Sequence, residues 1–314
     1  MKKSEFGYGK FAIPRSRSFI EDLNYVNKVN PEELIAKSEE NYRNQIDELV
    51  NDFCEDKRKK IMLIAGPSSA GKTTSTFLIN QRLEKRGYHT ISLSLDDFFL
   101  DMKDRKILSD GSIDFESIYT LDLKYFGEFI DTIIDTGKAK MPHYDFLTGQ
   151  RKKEYTDVEM KKGTVLLIEG LHALNPALIR GHNAEIYKTY ISLNTDFYYQ
   201  NKLILPARDL RLMRRCLRDY HSRNVSVETS FNLWRGVLQG EDVYIKPYKP
   251  WADYIVDSTH HYEPFLYAKY LLPLLKGVKV AKSISLKEIL KLFQPIDKAI
   301  VPDESLVWEF LVHE

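Results

Sequence analysis

The sequence predicts an α/β protein built on a parallel, five-stranded sheet flanked by helices. Three observations predict it. Apolar runs of strand length recur along the chain, as expected of strands buried on both faces. Helical stretches separate several of these runs, and that alternation is the signature of a parallel sheet. The first run leads straight into a glycine-bounded loop that opens a helix.

Residues 1–30 carry Pro14 and the basic pair Arg15 and Arg17, and read as an irregular surface arm. A helix is expected over 31–56. Pro31 suits a first helical position after Asn30, and Leu34, Ile35, Ile46, Leu49, Val50 and Phe53 return at helical spacing. The basic run Lys57-Arg58-Lys59-Lys60 ends it and reads as a solvated connector rather than a nucleic-acid site. Ile61–Ala65 is the first strand. Thr90–Leu95, Thr164–Ile168, Ile186–Ser192 and the shorter Tyr254–Val256 supply the other four. Thr73–Lys85 and Leu123–Ile134 are intervening helices, and Lys246-Pro247-Tyr248-Lys249-Pro250 is a rigid entry to the last strand. The expected organisation is an N-terminal arm and helical extension (1–56), a catalytic domain (57–290) and a C-terminal tail packed upon it (291–314).

Composition excludes some classes. With 46 basic and 45 acidic residues the formal charge is +1, so nothing draws the whole chain to nucleic acid or an anionic membrane. Cys54 and Cys216 lie far apart, in no metal or redox spacing, and read as reduced thiols. No apolar run reaches the length of a membrane span, and the first residues lack a signal-peptide core. A cytoplasmic protein acting on a small molecule is expected; a homo-oligomer is compatible with this.

Gly66-Pro67-Ser68-Ser69-Ala70-Gly71-Lys72-Thr73 fits the phosphate-binding pattern G-x-x-x-x-G-K-[ST]. It follows a strand and opens a helix, where the chemistry requires it. Glycines let backbone N–H groups converge on one point, and the helix N-terminus adds positive potential there. Lys72 would meet the β- and γ-phosphates of ATP or GTP, and the Thr73 hydroxyl would meet Mg²⁺. Thr74 extends the same cradle. Two further strands end in acids, Asp96-Asp97 and Glu169-Gly170. Ligands of an open parallel sheet lie beyond the carboxyl ends of its strands, so both acids should approach the phosphates. Asp96 is the candidate general base and magnesium neighbour. Glu169 is a second acid for magnesium or substrate. Arg208, Arg211, Arg215 and Arg218 recur along one helical face with Arg214 beside them. A salt-bridged surface helix fits this pattern; so does a mobile lid whose guanidinium groups meet transferring phosphate. A DNA-binding helix fits it poorly at this net charge.

Five segments occur in a fixed order: Gly66–Thr74, Ser94-Leu95-Asp96-Asp97-Phe98-Phe99, Pro142-His143-Tyr144-Asp145-Phe146, Ile168-Glu169-Gly170-Leu171-His172 and Arg214-Arg215-Cys216-Leu217-Arg218-Asp219. Together they resemble the uridine kinase-like branch of the phosphoribulokinase/uridine kinase family, over roughly residues 57–290. Residues 20–56 resemble the final helices of a threonyl-tRNA-synthetase-like extension carried by some bacterial members. The resemblance implies a P-loop core with a lid helix and a small excursion over the acceptor pocket. It also implies an ATP- or GTP-dependent, Mg²⁺-requiring kinase that phosphorylates the 5′-hydroxyl of a nucleoside. In that pattern Asp96 is the general base and Tyr144 an aromatic contact to the nucleoside. Phe99 also lines that pocket. Phe115-Glu116 stands for the pair whose acid holds the ribose hydroxyls, Glu169 is the acid near metal and substrate, and Arg214 and Arg218 are the lid arginines. Two positions depart from the pattern: Thr148-Gly149-Gln150 stands where a base-reading histidine is common, and Phe99 where a tyrosine is. Two alternatives stay open. One is a kinase of another hydroxyl substrate, a sugar phosphate or pantothenate, served by Arg151, Lys152 and Lys153. The other is a nucleotide-binding regulatory or RNA-associated module without turnover.

Overall fold

A computed structural model of the chain describes residues 15–107, 111, 113–178 and 184–312. Its centre is a five-stranded sheet in the order Tyr254–Asp257, Ile186–Ser192, Ile61–Ala65, Thr164–Glu169, His89–Ser94. Every neighbouring pair is parallel. All five predicted strands are present, within a residue of their expected ends. The Ile61–Ala65 strand is buried throughout and serves two cores by alternation. Met62 and Ile64 face one cluster with Leu49, Phe53 and Leu78. Ile61, Leu63 and Ala65 face the other with Phe126, Ile130 and Ile168.

The helix Pro31–Glu55 starts where the sequence places it. Asn30 Oδ1 accepts the Glu33 amide at 3.2 Å, and the predicted apolar stripe is buried. The helix packs against the P-loop helix Lys72–Glu84 and the Tyr254–Asp257 strand. The excursion spans the chain between His89–Ser94 and Thr164–Glu169. It holds the helix Leu123–Thr136 and two short antiparallel pairs, Lys138–Met141 with Thr156–Glu159 and Tyr144–Asp145 with Gln150–Arg151. No helix among the described residues is long and apolar enough to cross a membrane.

Two expectations are corrected. The expected surface arm over residues 1–30 has regular structure over Ser16–Phe19 and Ile20–Val29; Pro14 lies outside the described residues. Ser16–Phe19 is a strand parallel to Thr195–Tyr199, and Ile20–Val29 is a helix whose Ile20 is fully buried. Arg15 pairs with Asp196 at 2.9 Å and Arg17 lies over the Tyr198 ring. A four-residue strand whose partner lies about 180 positions away leaves no local pattern to read. The second correction concerns the arginine helix, Ala207–Arg223. It is no free-standing lid: Leu210, Leu212, Met213, Cys216 and Leu217 are all fully buried. Three of its arginines are neutralised by neighbours. Arg208 pairs with Asp242 and Glu241, Arg211 with Glu241, and Arg214 with Glu263.

Candidate active site

Sheet register brings the site together. Glu169 is the partner of Ile64 on one side and of Ser94 on the other. Its carboxylate therefore emerges between the P-loop and the short 3-10 turn Leu95–Phe98 that carries Asp96. That turn is held by Ser94 Oγ, which accepts the Asp96 amide at 3.2 Å. Gly66 has no room for a side chain, because a Cβ there would meet the Ile191 carbonyl oxygen. Gly71 has φ +86, a left-handed conformation that favours glycine, and lies against the Leu306 side chain.

Lys72 lies at the centre. Its Nζ donates to the Pro67 carbonyl at 3.2 Å. Burial lowers its pKa, while Glu169, Glu309 and Asp96 pull it back up. Asp96 and Glu169 are both shifted upward, first by burial, with Lys72 opposing the shift in each. Three carboxylates thus act on one half-buried ammonium. Thr73 Oγ1 lies 3.3 and 3.4 Å from the two Glu169 oxygens. A hydroxyl and carboxylate oxygens form a donor set that fits Mg²⁺.

The predicted arginines part company. Arg218 is near Lys72, whose pKa it helps to lower, and pairs with Asp219 at 2.7 Å. Arg214 does not reach the cleft. It is 0% exposed, its Nε donates to Glu263 at 2.7 Å and its Nη2 to the Ser258 carbonyl at 2.6 Å. The Phe310 ring covers its guanidinium at 4.9 Å. Its Nη1 lies 3.5 Å from the Ser69 carbonyl, so it supports the P-loop from behind. The helix is amphipathic in charge as well as in hydrophobicity, and Arg214 falls on its inner face. Arg215 is the residue that turns to the loop, with Nη1 3.4 Å from Ser68 Oγ.

The excursion supplies an aromatic wall. Phe99, Tyr144 and Phe146 meet edge-on, Phe99 5.5 Å from Tyr144 and Tyr144 5.2 Å from Phe146 between centroids. The Tyr144 amide donates to Asp97 Oδ1 at 3.3 Å, which ties the wall to the Asp96 turn. Arg105 stacks 4.5 Å over Phe99 and donates to the Tyr144 hydroxyl at 2.9 Å. Phe115 is exposed, 5.7 Å from the same guanidinium. Glu116 is held against the helix Val227–Tyr244 at Gly240, where a Cβ would come within 2.6 Å of it. Burial raises the Glu116 pKa and Arg215 opposes the shift. His172 is buried beside Tyr244, and burial lowers its pKa to about 4, so its ring is neutral.

Sequence reasoning missed Arg105 and Glu309. Arg215 lay in the recognised repeat. Arg105 and Glu309 stand in no motif, and only the folded chain brings them to the site. Glu309 comes from the C-terminal tail, where its Oε2 accepts from Thr74 Oγ1 at 2.9 Å and the Thr74 amide at 3.3 Å.

A family model described as the phosphoribulokinase/uridine kinase family matches residues 61–263. A uridine kinase of Staphylococcus aureus (strain JH9) is 26% identical over 201 residues, spanning 64% of this chain and 88% of that protein. Two solved structures are also similar. One is described as a "Possible Uridine Kinase from Bacillus stearothermophilus", with TM-score 0.46 and 18% identity over 68% of this chain and 98% of that one. The other is a D-glycerate 3-kinase from Cryptococcus neoformans var. grubii, with TM-score 0.34 and 16% identity over 85% and 86%.

Proposed function

The chain belongs to the phosphoribulokinase/uridine kinase family, and from that premise we propose that it is a nucleoside kinase, transferring the γ-phosphate of ATP or GTP to a nucleoside 5′-hydroxyl. Family membership carries the coarser statement, a P-loop phosphotransferase with a nucleotide donor and an alcohol acceptor. The finer reading rests on the wall of Phe99, Tyr144 and Phe146, anchored through Asp97 next to Asp96. A planar base gains from packing against aromatic rings.

In this reading Asp96 accepts the proton of the attacking hydroxyl. The new bond forms from that oxygen to the γ-phosphorus as the bond to the β-γ bridging oxygen breaks, in line. Burial, which raises the Asp96 pKa, makes it a stronger base than an exposed carboxylate. Lys72 and Arg218 stabilise charge on the transferring group, and Glu116 takes the ribose hydroxyls. Mg²⁺ held by Thr73, Glu169 and Asp96 together with nucleotide oxygens would offset phosphate charge when bound. Arg214 acts through the P-loop it supports.

A second reading, an anionic acceptor such as a sugar phosphate, draws on Arg105. This buried cation lines the acceptor wall and has no carboxylate partner among the described residues. Arg151, the earlier candidate for that task, is engaged by Asp122 at 3.1 Å and by the Phe98 and Phe99 carbonyls. The test is ADP or GDP release measured across nucleosides, sugar phosphates and pantothenate. Preference for nucleosides supports the proposal, preference for sugar phosphates replaces it with the second reading, and release with none of them favours a regulatory module.

A further inference from the structure

The end of the sheet opposite the P-loop carries a cavity of about 400 Å³ that the kinase chemistry does not use. Lys57, Lys59, Lys60, Lys161 and Lys162 line it together with Tyr88, and among the described residues no aspartate or glutamate does. In a chain with 46 basic and 45 acidic residues this is a sharp local excess. Arg58, in the same run, is held by Asp56 at 2.8 Å. Lys60, Lys161 and Lys162 have no acidic partner among the described residues. Clustered like charges repel, and a bound anion relieves that repulsion.

The cavity is not a bare lysine surface. Ile134, Met160 and Val165 line it with apolar groups. The Tyr88 hydroxyl accepts from Lys57 Nζ at 3.1 Å, and that ammonium lies 5.7 Å from the ring centre. The walls are also fixed by backbone bonds. The His89 amide donates to the Gly163 carbonyl at 3.0 Å, Thr164 to Lys161 at 2.9 Å, and Leu166 to Lys60 at 2.8 Å. Those bonds join the roots of three strands. The tips of the same strands carry the P-loop, Asp96 and Glu169, about 20 Å away at strand rise.

We propose that this cavity is a second ligand site, for a nucleotide: its phosphates on the lysines and its base against Tyr88 and the apolar floor. The volume suits a small molecule. A concave pocket with an apolar floor favours a mononucleotide over a nucleic-acid strand, which would need a continuing basic track. The site is independent of which acceptor the kinase uses.

Calorimetric titration with ADP tests it, on the whole chain and on the triple variant Lys60→Glu, Lys161→Glu, Lys162→Glu. The wild type should bind two equivalents, the weaker one salt-sensitive, and the variant one. The second affinity should fall at least about tenfold, on the scale of three lost ion pairs. Lys72→Ala should weaken the other equivalent instead. Inorganic tripolyphosphate and a 20-nucleotide single-stranded RNA are the competing probes. Equal affinity for tripolyphosphate at the second site would overturn the base contact. RNA binding with no second ADP would overturn the nucleotide assignment. A single equivalent in both proteins removes the site. Melting curves guard against an unfolded variant: ADP should raise the wild-type Tm further than the variant's, and the variant without ligand should melt no lower than wild type.

Discussion

Glu309 reaches from the C-terminal tail to Thr74 and there accepts two hydrogen bonds, from the hydroxyl at 2.9 Å and from the backbone amide at 3.3 Å. Thr74 stands in the first turn of the P-loop helix, where free N–H groups and the helix dipole attract anions. A phosphate and this carboxylate want the same donors. Leu306 against Gly71 and Phe310 over Arg214 hold the tail in place. Glu309 lies outside residues 61–263, the span matched by the family model.

Glu309→Gln should therefore tighten nucleotide binding, by about tenfold if one charge-assisted hydrogen bond is no longer competing. Calorimetry with ADP on both proteins measures it. Weaker binding in the variant would mean that Glu309 helps to hold the donor instead of competing with it.

Arg214→Ala and Arg218→Ala should fail in different ways. Arg214 is fully buried, and removing it takes the guanidinium from buried Glu263 and leaves it the Tyr267 hydroxyl and the His260 amide as donors, a loss of about 3–5 kcal/mol. Arg218 lies close to Lys72 and its loss leaves Asp219 still paired with Arg215. Its alanine variant should keep most stability and lose roughly 10²-fold in turnover, the scale of a group acting on transition-state charge. Urea unfolding beside steady-state kinetics separates the two. Similar stability losses in both would remove Arg218 from the chemistry.

The sheet was legible because strands buried on both faces are apolar throughout, so Ile61–Ala65 and Ile186–Ser192 stand out unaided. The P-loop was legible because phosphate binding constrains glycine and lysine at fixed spacing. Arg214 shows where reading stopped. A repeat of arginines gives a helical face, but not which way that face looks. Only the position of Glu263, 49 residues later, turns Arg214 inward. The strand Ser16–Phe19 and Glu309 were silent for the same reason: each depends on a partner brought near by the finished fold.

Glu39 should govern part of the acid stability. It is buried in the helix Pro31–Glu55, where it accepts from the Tyr262 hydroxyl at 2.6 Å and lies 3.5 Å from His260. Tyr262 in turn meets Ser305 of the tail at 2.7 Å. Burial raises the Glu39 pKa, but His260, Ser305 and Tyr262 outweigh it and bring it to about 2, from an ordinary 4.5. A depressed carboxylate contributes stability above its unfolded pKa and loses it as pH falls through the folded one. The contribution, about 3 kcal/mol from the shift, should be complete above pH 4.5 and fade towards pH 2. Unfolding free energies of wild type and Glu39→Gln across that window should converge as pH drops. A gap that stays constant assigns the residue to packing alone.

Asp96→Asn separates a kinase from a nucleotide-binding module. The carboxylate leaves its strand beside Glu169 and within the field of Lys72, and burial holds its pKa above the ordinary 3.8. A base of that kind is active only when deprotonated, so kcat/KM should fall as pH drops through that raised value. The limb lies higher than an exposed aspartate would give. The asparagine variant keeps the shape, loses the base and removes one negative charge near the phosphates. Turnover should drop by about 10²- to 10⁴-fold, the usual contribution of a general base. Nucleotide affinity should be unchanged or stronger. Both are measured with the best acceptor from the release screen, beside calorimetry with ATP. If the variant turns over like wild type, Asp96 is not the base. If neither protein phosphorylates any hydroxyl while both bind ATP, the three carboxylates around Lys72 serve nucleotide sensing and not transfer.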